Sequence, residues 1–151
     1  MTAPFLNPGH LQDGELELRV RKLMPANPAK AYVPAYDFGM YVGEAEVGHL
    51  NFRIADTPLL LLVGGHIGYA VNEEHRGKRY AERACRLVFP LAKQHGLQRL
   101  IITCLPNNRA SYRTIENLGG KFLGIVNVPT THEMWREDAD NRRRRYQVTL
   151  T

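Results

Sequence analysis

Cysteine is scarce in this chain: Cys85 and Cys104 are the only two. Neither belongs to a C-x-x-C pair or a Cys/His ligand spacing, and each sits in an apolar run, as buried reduced thiols do. A disulfide scaffold is excluded, no metal site is expected, and a reducing compartment is indicated. Long apolar runs are missing too: the longest, residues 59–63, falls far short of the ~20 residues a membrane helix needs. Residues 1–10 show no basic stretch followed by an apolar one, so no secretory signal is read there. The expectation is a soluble, cytoplasmic protein without a membrane partner. Internal repeats and low-complexity linkers are also lacking. The aromatics are few and scattered, which argues against a stacking platform for nucleic-acid bases.

What is present suits one packed unit. The hydrophobic fraction is 44% over 151 residues, enough for a core, so a single domain spanning 1–151 is expected. The net charge of +5 favours an anionic ligand without naming it. Nucleic acid, acidic lipid and a phosphorylated cofactor would all be attracted. The densest basic run, residues 142–145, reads as a solvated entry to the last strand.

Leu16, Leu18 and Val20 alternate with Glu17, Arg19 and Arg21, the period of a half-buried strand. Pro25, Pro28 and Pro34 rule out a long helix before residue 36. Segments 36–42 and 46–53 flank Gly43-Glu44-Ala45 as a hairpin. Residues 54–64 read as a loop with one apolar turn, and 65–71 as a strand. Ala81, Ala84, Cys85, Val88 and Ala92 follow helical spacing over 78–95, with a kink expected at Pro90 and a stop at Gly96. Residues 97–105 form a nearly continuous apolar strand. Asn108 caps a second helix ended by Gly119-Gly120, and strands 122–128 and 146–150 follow. The order predicts a mixed α/β (α+β), mostly antiparallel seven-stranded sheet.

The strongest local signal lies in residues 71–81. A strand ends, a basic turn holding Arg76, Gly77, Lys78 and Arg79 follows, and a helix begins. The first turn of a helix carries unpaired N–H groups and partial positive charge, so phosphate docks there readily. Gly77 allows the backbone to approach an anion, and the basic side chains add charge around it. A basic turn alone is more often plain surface; it needs a second feature at a fixed distance.

Gly68-Tyr69-Ala70-Val71, then Arg76-Gly77-Lys78-Arg79-Tyr80-Ala81, then Ile102-Thr103, Asn108-Arg109-Ala110-Ser111 and Glu116-Asn117-Leu118-Gly119-Gly120 supply it. In this order and spacing they resemble the GNAT superfamily of N-acetyltransferases, especially its ribosomal-protein N-acetyltransferase branch and small predicted bacterial relatives. The likeness is good over residues 46–128 and poor in the N-terminal third. It implies a GNAT-like sheet with helices on both faces and two central strands splayed apart. It also implies acetyl-CoA as co-substrate, its pantetheine arm pairing near Tyr69 and Val71, and its pyrophosphate on the amides of Arg76, Gly77, Lys78, Arg79, Tyr80 and Ala81. Asn108 would hold the arm near the thioester, with Ser111 close to the sulfur. Two positions depart from the family pattern. Arg79 stands where Gly or Ala is usual, and is expected to swing outward and add charge. Ile115 stands where many relatives place a proton-donating Tyr, leaving Ser111, Tyr112 or water as substitutes.

Acetyl transfer to a primary amine needs a neutral nucleophile, because an amine of pKa ~10 is mostly protonated at neutral pH. His66, on the strand beside the expected thioester, is the candidate base. Ser111 is the candidate hydrogen-bond donor to the leaving thiolate, and Tyr69 reads as packing in the core or against the arm. Glu44, Glu46 and Asp56 read as solvated. The acceptor, a small amine or a peptide N-terminus, is not identified, although the short proline-broken stretch 24–35 implies an open pocket. A homodimer is compatible with the sequence. The alternatives are an acyl-CoA-binding protein without turnover and, in another class, a basic nucleic-acid-binding module.

Overall fold

The computed structural model describes residues 4–30 and 32–151, so residues 1–3 and, within the proline-broken stretch, residue 31 lie outside it. Eight strands form one sheet: β1 (Leu11–Asp13), β2 (Leu16–Met24), β3 (Ala35–Val42), β4 (Ala45–Arg53), β5 (Ile67–Val71), β6 (Arg99–Cys104), β7 (Lys121–Asn127) and β8 (Arg142–Thr149). Their spatial order is β1-β2-β3-β4-β5-β6-β8-β7. Only β5 and β6 run parallel; every other neighbouring pair is antiparallel. The seven expected strands are joined by an eighth, the three-residue β1, too short for its period to show in sequence.

Period-two patterning placed the strands, and local irregularities explain where it slips. Leu16 and Leu18 are buried as the alternation requires, yet Val20 is 40% exposed. A bulge between Val20 and Lys22 shifts the register there. Strand β8 starts at Arg142, earlier than expected, so the arginine run lies inside the sheet and not before it.

Helix α1 (Tyr80–Gln94) continues through Pro90 as one element, and α2 (Arg109–Asn117) begins behind Asn108, whose side chain accepts the Ser111 amide at 3.1 Å. Gly96 and Gly119 take positive φ and end the two helices. In each case a following amide reaches five residues back, Leu97 to the Ala92 carbonyl and Gly120 to the Ile115 carbonyl. Residues 54–64 hold more than a loop, since Leu60–Gly64 is a turn of π-helix packed on β6, β7 and β8.

The core gathers Phe38, Leu50, Phe52 and Ile67 of the sheet with Ala84, Cys85, Val88 and Leu91 of α1 and Ile115 of α2. Each fully buried large side chain contributes about 1.5–3 kcal/mol. Burial also pushes the Cys85 thiol up to about 12, so that sulfur is a packing group. On the other face, the π-helical turn buries Leu60 and Val63 against the β6 and β8 side. Thr103 Oγ1 donates to the Val63 carbonyl at 2.8 Å and Arg145 to the Leu61 carbonyl at 2.7 Å, fastening the turn to the sheet.

Candidate active site

The sheet opens at one point. Strands β5 and β6 share a single register pair, Ile67 with Ile102, and then part. Gly65 makes the vertex possible: it takes φ +72°, and a side chain there would meet the Ile101 carbonyl at 2.8 Å. His66 locks the vertex. Its amide donates to the Ile101 carbonyl at 2.7 Å, and the Ile101 amide donates to its Nδ1 at 2.9 Å. The Nε2–H donates to Asp56 at 2.8 Å, and Arg99 also reaches that carboxylate, at 3.4 Å.

Beyond the vertex a cleft of about 590 Å³ runs from Tyr69 to the start of α1. Its far end is the turn expected to bind an anion. Gly77 has φ +89°, with open space where a Cβ would sit. Arg79 is one of two non-glycine residues of positive φ among the described residues, at φ 59° and ψ 30°. That left-handed step swings the chain into α1. The amides of Gly77, Lys78, Arg79, Tyr80, Ala81 and Glu82 find no acceptor among the described residues; the helical ladder starts with Arg83 donating to the Arg79 carbonyl at 2.9 Å. Six unpaired donors at a helix N-terminus are a cradle for a diphosphate, so the residues present fit a coenzyme A pyrophosphate.

Side chains from distant strands hold this end in place. Arg83 bridges Asp13 at 2.7 Å and Glu15 at 2.7 Å, and Tyr80 donates to Glu15 at 3.2 Å. The Arg83 hydrogen bond holds the Glu15 carboxyl down at about 2. Arg76 turns back to donate from Nε to the Val71 carbonyl at 3.0 Å. It thus steadies the turn from β5.

At the other end, the Tyr69 hydroxyl lies 2.9 Å from Ser111 Oγ and 3.3 Å from the Ser111 carbonyl oxygen. Burial pushes the Tyr69 phenol well above its ordinary range, so it stays protonated. With the phenol donating to Ser111 Oγ, the serine's own proton is free to point into the cleft.

Of the residues expected from sequence, Tyr69, Val71, Arg76, Gly77, Arg79, Tyr80, Ala81, Asn108 and Ser111 line this one cleft. Lys78 is absent from its wall; its Nζ stands 6.0 Å from the Tyr80 ring centre. His66 is absent as well, wholly buried with both ring nitrogens engaged. Its one lone pair, on Nδ1, is taken by a backbone amide, so the ring has no site for a substrate proton. Tyr112 sits beneath the Arg144 guanidinium, 4.4 Å from its ring centre. Sequence reasoning missed His75 and Thr114, which also face the cleft, and the Arg83 clamp, whose partners are 68 and 70 residues away.

The match to known proteins falls on the same elements. A family model described as the acetyltransferase (GNAT) domain matches residues 3–121. This chain belongs to the GNAT acetyltransferase family. A curated relative, an uncharacterized N-acetyltransferase YnaD of Bacillus subtilis (strain 168), is 32% identical over 74 residues, covering 47% of this chain and 44% of that protein. The chain therefore matches less than half the length of that relative. Among solved structures, a ribosomal-protein alpha-N-acetyltransferase, RimL, in complex with coenzyme A is similar with a TM-score of 0.68 and 14% identity, over 93% of this chain and 98% of that one. A ribosomal-protein-S5-alanine acetyltransferase from Vibrio fischeri gives 0.64 and 14%, over 93% and 96%. At such identities these structures show the shared fold.

In this GNAT domain Ile115 is fully buried in the core. No hydroxyl can be presented from that position, and the hydroxyls facing the cleft from α2 are those of Ser111 and Thr114.

Proposed function

We propose that this protein is an acetyl-CoA-dependent N-acetyltransferase that moves the acetyl group to a primary amine by direct attack in a ternary complex. One observation carries the reading: the run of unpaired amides at residues 77–82, of which Gly77, Arg79, Tyr80 and Ala81 line the cleft, lies at one end of a cleft whose other end holds the Tyr69–Ser111 hydroxyl pair. The amides take the pyrophosphate, with Arg76 and Arg79 adding charge that salt screens. The divided edge of β5 at Tyr69 and Val71 offers main-chain groups to the pantetheine arm. Asn108 serves as helix cap, which fixes the Ser111 amide and hence the hydroxyl beside it.

Bound acetyl-CoA supplies the thioester, an acyl group on a thiol of pKa about 8.5, so a hydrogen bond suffices to ease its departure. Ser111 donates that bond from Oγ, and the Tyr69 phenol, which stays protonated, orients the serine hydroxyl by donating to Oγ. The amine's proton leaves through water in the open cleft. Positioning along the open strand edge supplies much of the rate.

Acetyl-CoA titration by calorimetry, followed by thiol release with pooled primary amines, tests the reading. Saturable binding that weakens with salt, then thiol release that depends on amine, is expected. Absence of binding at low ionic strength would end it. The rival nucleic-acid reading has less to stand on, because the arginine run is divided: Arg142 pairs with Asp140, Arg144 lies on aromatic rings and Arg145 holds the π-helical turn.

A further inference from the structure

Arg53 ends β4 and stands in an unusual electrostatic position. It follows Phe52, which faces the α1 side, so Arg53 faces the opposite side of the sheet. Its guanidinium covers Gly68, the first residue past the vertex pair of Ile67 and Ile102. A Cβ on Gly68 would lie 3.5 Å from Arg53 Nη2 and 3.6 Å from Nη1. The group is half-buried, and desolvation pulls its pKa down. Yet no carboxylate among the described residues forms an ion pair with it. Glu133 is the acid whose charge it feels, and that carboxylate is held by the Tyr32 hydroxyl at 2.8 Å.

A guanidinium has five N–H donors. Arg53 uses Nη1 on the Gly64 and Gly65 carbonyls, at 3.3 and 3.2 Å, which leaves Nε and Nη2 without a protein acceptor among the described residues. Neither is a sealed orphan, since no fully buried side-chain nitrogen or oxygen among the described residues lacks a partner. A cation kept partly out of water without a counter-ion costs stability unless something supplies the charge. Nε and Nη2 form the edge of the fork that takes a carboxylate in two parallel hydrogen bonds. A cofactor stretched from the Gly77 amides past Tyr69 brings its reactive end toward this vertex.

We propose that the acceptor amine carries a carboxylate, which Arg53 binds through Nε and Nη2 while the amine faces the β5–β6 opening beside Gly68. This rests on the transferase reading above. The carboxylate comes either from a free amino acid or from an acidic first residue of a peptide, and the chemistry at Arg53 is the same.

The test uses the protein saturated with coenzyme A for binding, by calorimetry, and with acetyl-CoA for thiol release. One pair of acceptors is glycine and glycinamide; the other is a peptide amide beginning with Asp and its Asn counterpart. The charged member of at least one pair is expected to bind and react about tenfold better, the scale of a charge-assisted bond. Preference in the first pair identifies a free amino acid, and in the second an acidic N-terminus. Arg53→Gln is expected to erase the preference while coenzyme A affinity stays within about twofold, a margin far below one charge-assisted bond. If Arg53→Gln does not fold, Arg53→Lys decides, keeping the sign of the preference with a smaller ratio. Equal use of both members in both pairs, or a preference that survives Arg53→Gln, overturns the proposal. Loss of coenzyme A binding in the unaltered protein brings down the transferase reading itself.

Discussion

His66 and Ile101 exchange two hydrogen bonds, one through backbone and one through the imidazole, so a side chain extends the β ladder one residue ahead of the single Ile67–Ile102 pair, beyond which β5 and β6 separate. The ring must be neutral to do so, since Nδ1 accepts an amide proton. Burial holds the His66 pKa below the ordinary histidine value, against the pull of Asp56. A group whose folded pKa is depressed in this way contributes stability that is complete above about 6.5 and is lost as pH falls toward its folded value. The unfolding free energy from urea titration is therefore expected to drop between pH 7.5 and 5.5, by at most about 1.4 kcal/mol per pH unit for this one proton. His66→Gln should flatten part of that slope. Part should remain, because burial lowers His95 as well. An unchanged slope in the variant would remove His66 from the vertex account.

Ser111→Ala is expected to lower kcat by about 100- to 1,000-fold, the range of a lost hydrogen-bond donor, with the Kd for acetyl-CoA nearly unchanged. Tyr69→Phe should cost less. The double variant should be no worse than Ser111→Ala alone, since Tyr69 acts through Ser111. Steady-state kinetics of the three variants decide it, and additive losses would separate the two hydroxyls.

Arg79 and Gly77 share positive φ but answer oppositely to substitution. Arg79→Gly should raise stability by about 1 kcal/mol, the cost of left-handed backbone for a residue with a Cβ. It should also weaken acetyl-CoA binding and lessen its salt dependence. Gly77→Asp should abolish binding, placing a carboxylate and a strained backbone at the cradle. Chemical denaturation and titration at two salt concentrations read both variants. Tight binding by Gly77→Asp would refute the placement of the pyrophosphate.

Arg144 lies 4.4 Å from the ring centre of Tyr112 and 4.6 Å from that of Phe122, and donates to the Tyr146 hydroxyl at 2.8 Å. Its replacement by Ala is expected to cost about 1–2 kcal/mol, through lost cation–π contact and packing between α2 and β8. Arg143→Ala, one residue away and bonded only to neighbouring carbonyls, should stay within about 0.5 kcal/mol. Equal losses from the two would mean that the run acts only through its summed charge.

Periodicity and punctuation make most of this fold legible in the sequence. Two glycine stops, the Asn108 cap and the strand-turn-helix around Gly77 are local features, and local features leave a trace in sequence. The arginine run deceived because charge density says nothing of alternation. In β8, Arg144 and Arg145 point to opposite faces and find different partners. His66 deceived for a related reason. A histidine on a strand beside an expected reaction centre reads as a base, but its role was set by Asp56 and Ile101, ten and thirty-five residues away. The Tyr69–Ser111 contact likewise spans 42 residues and has no spacing to betray it.

Asp13 at the end of β1 and Glu15 in the turn before β2 both grasp Arg83 in the first coil of α1. The amino-terminal hairpin thereby acts as a brace for a loop more than sixty residues downstream. Trimming the chain near residue 13 is expected to loosen the proposed cofactor cradle, read as weaker coenzyme A binding.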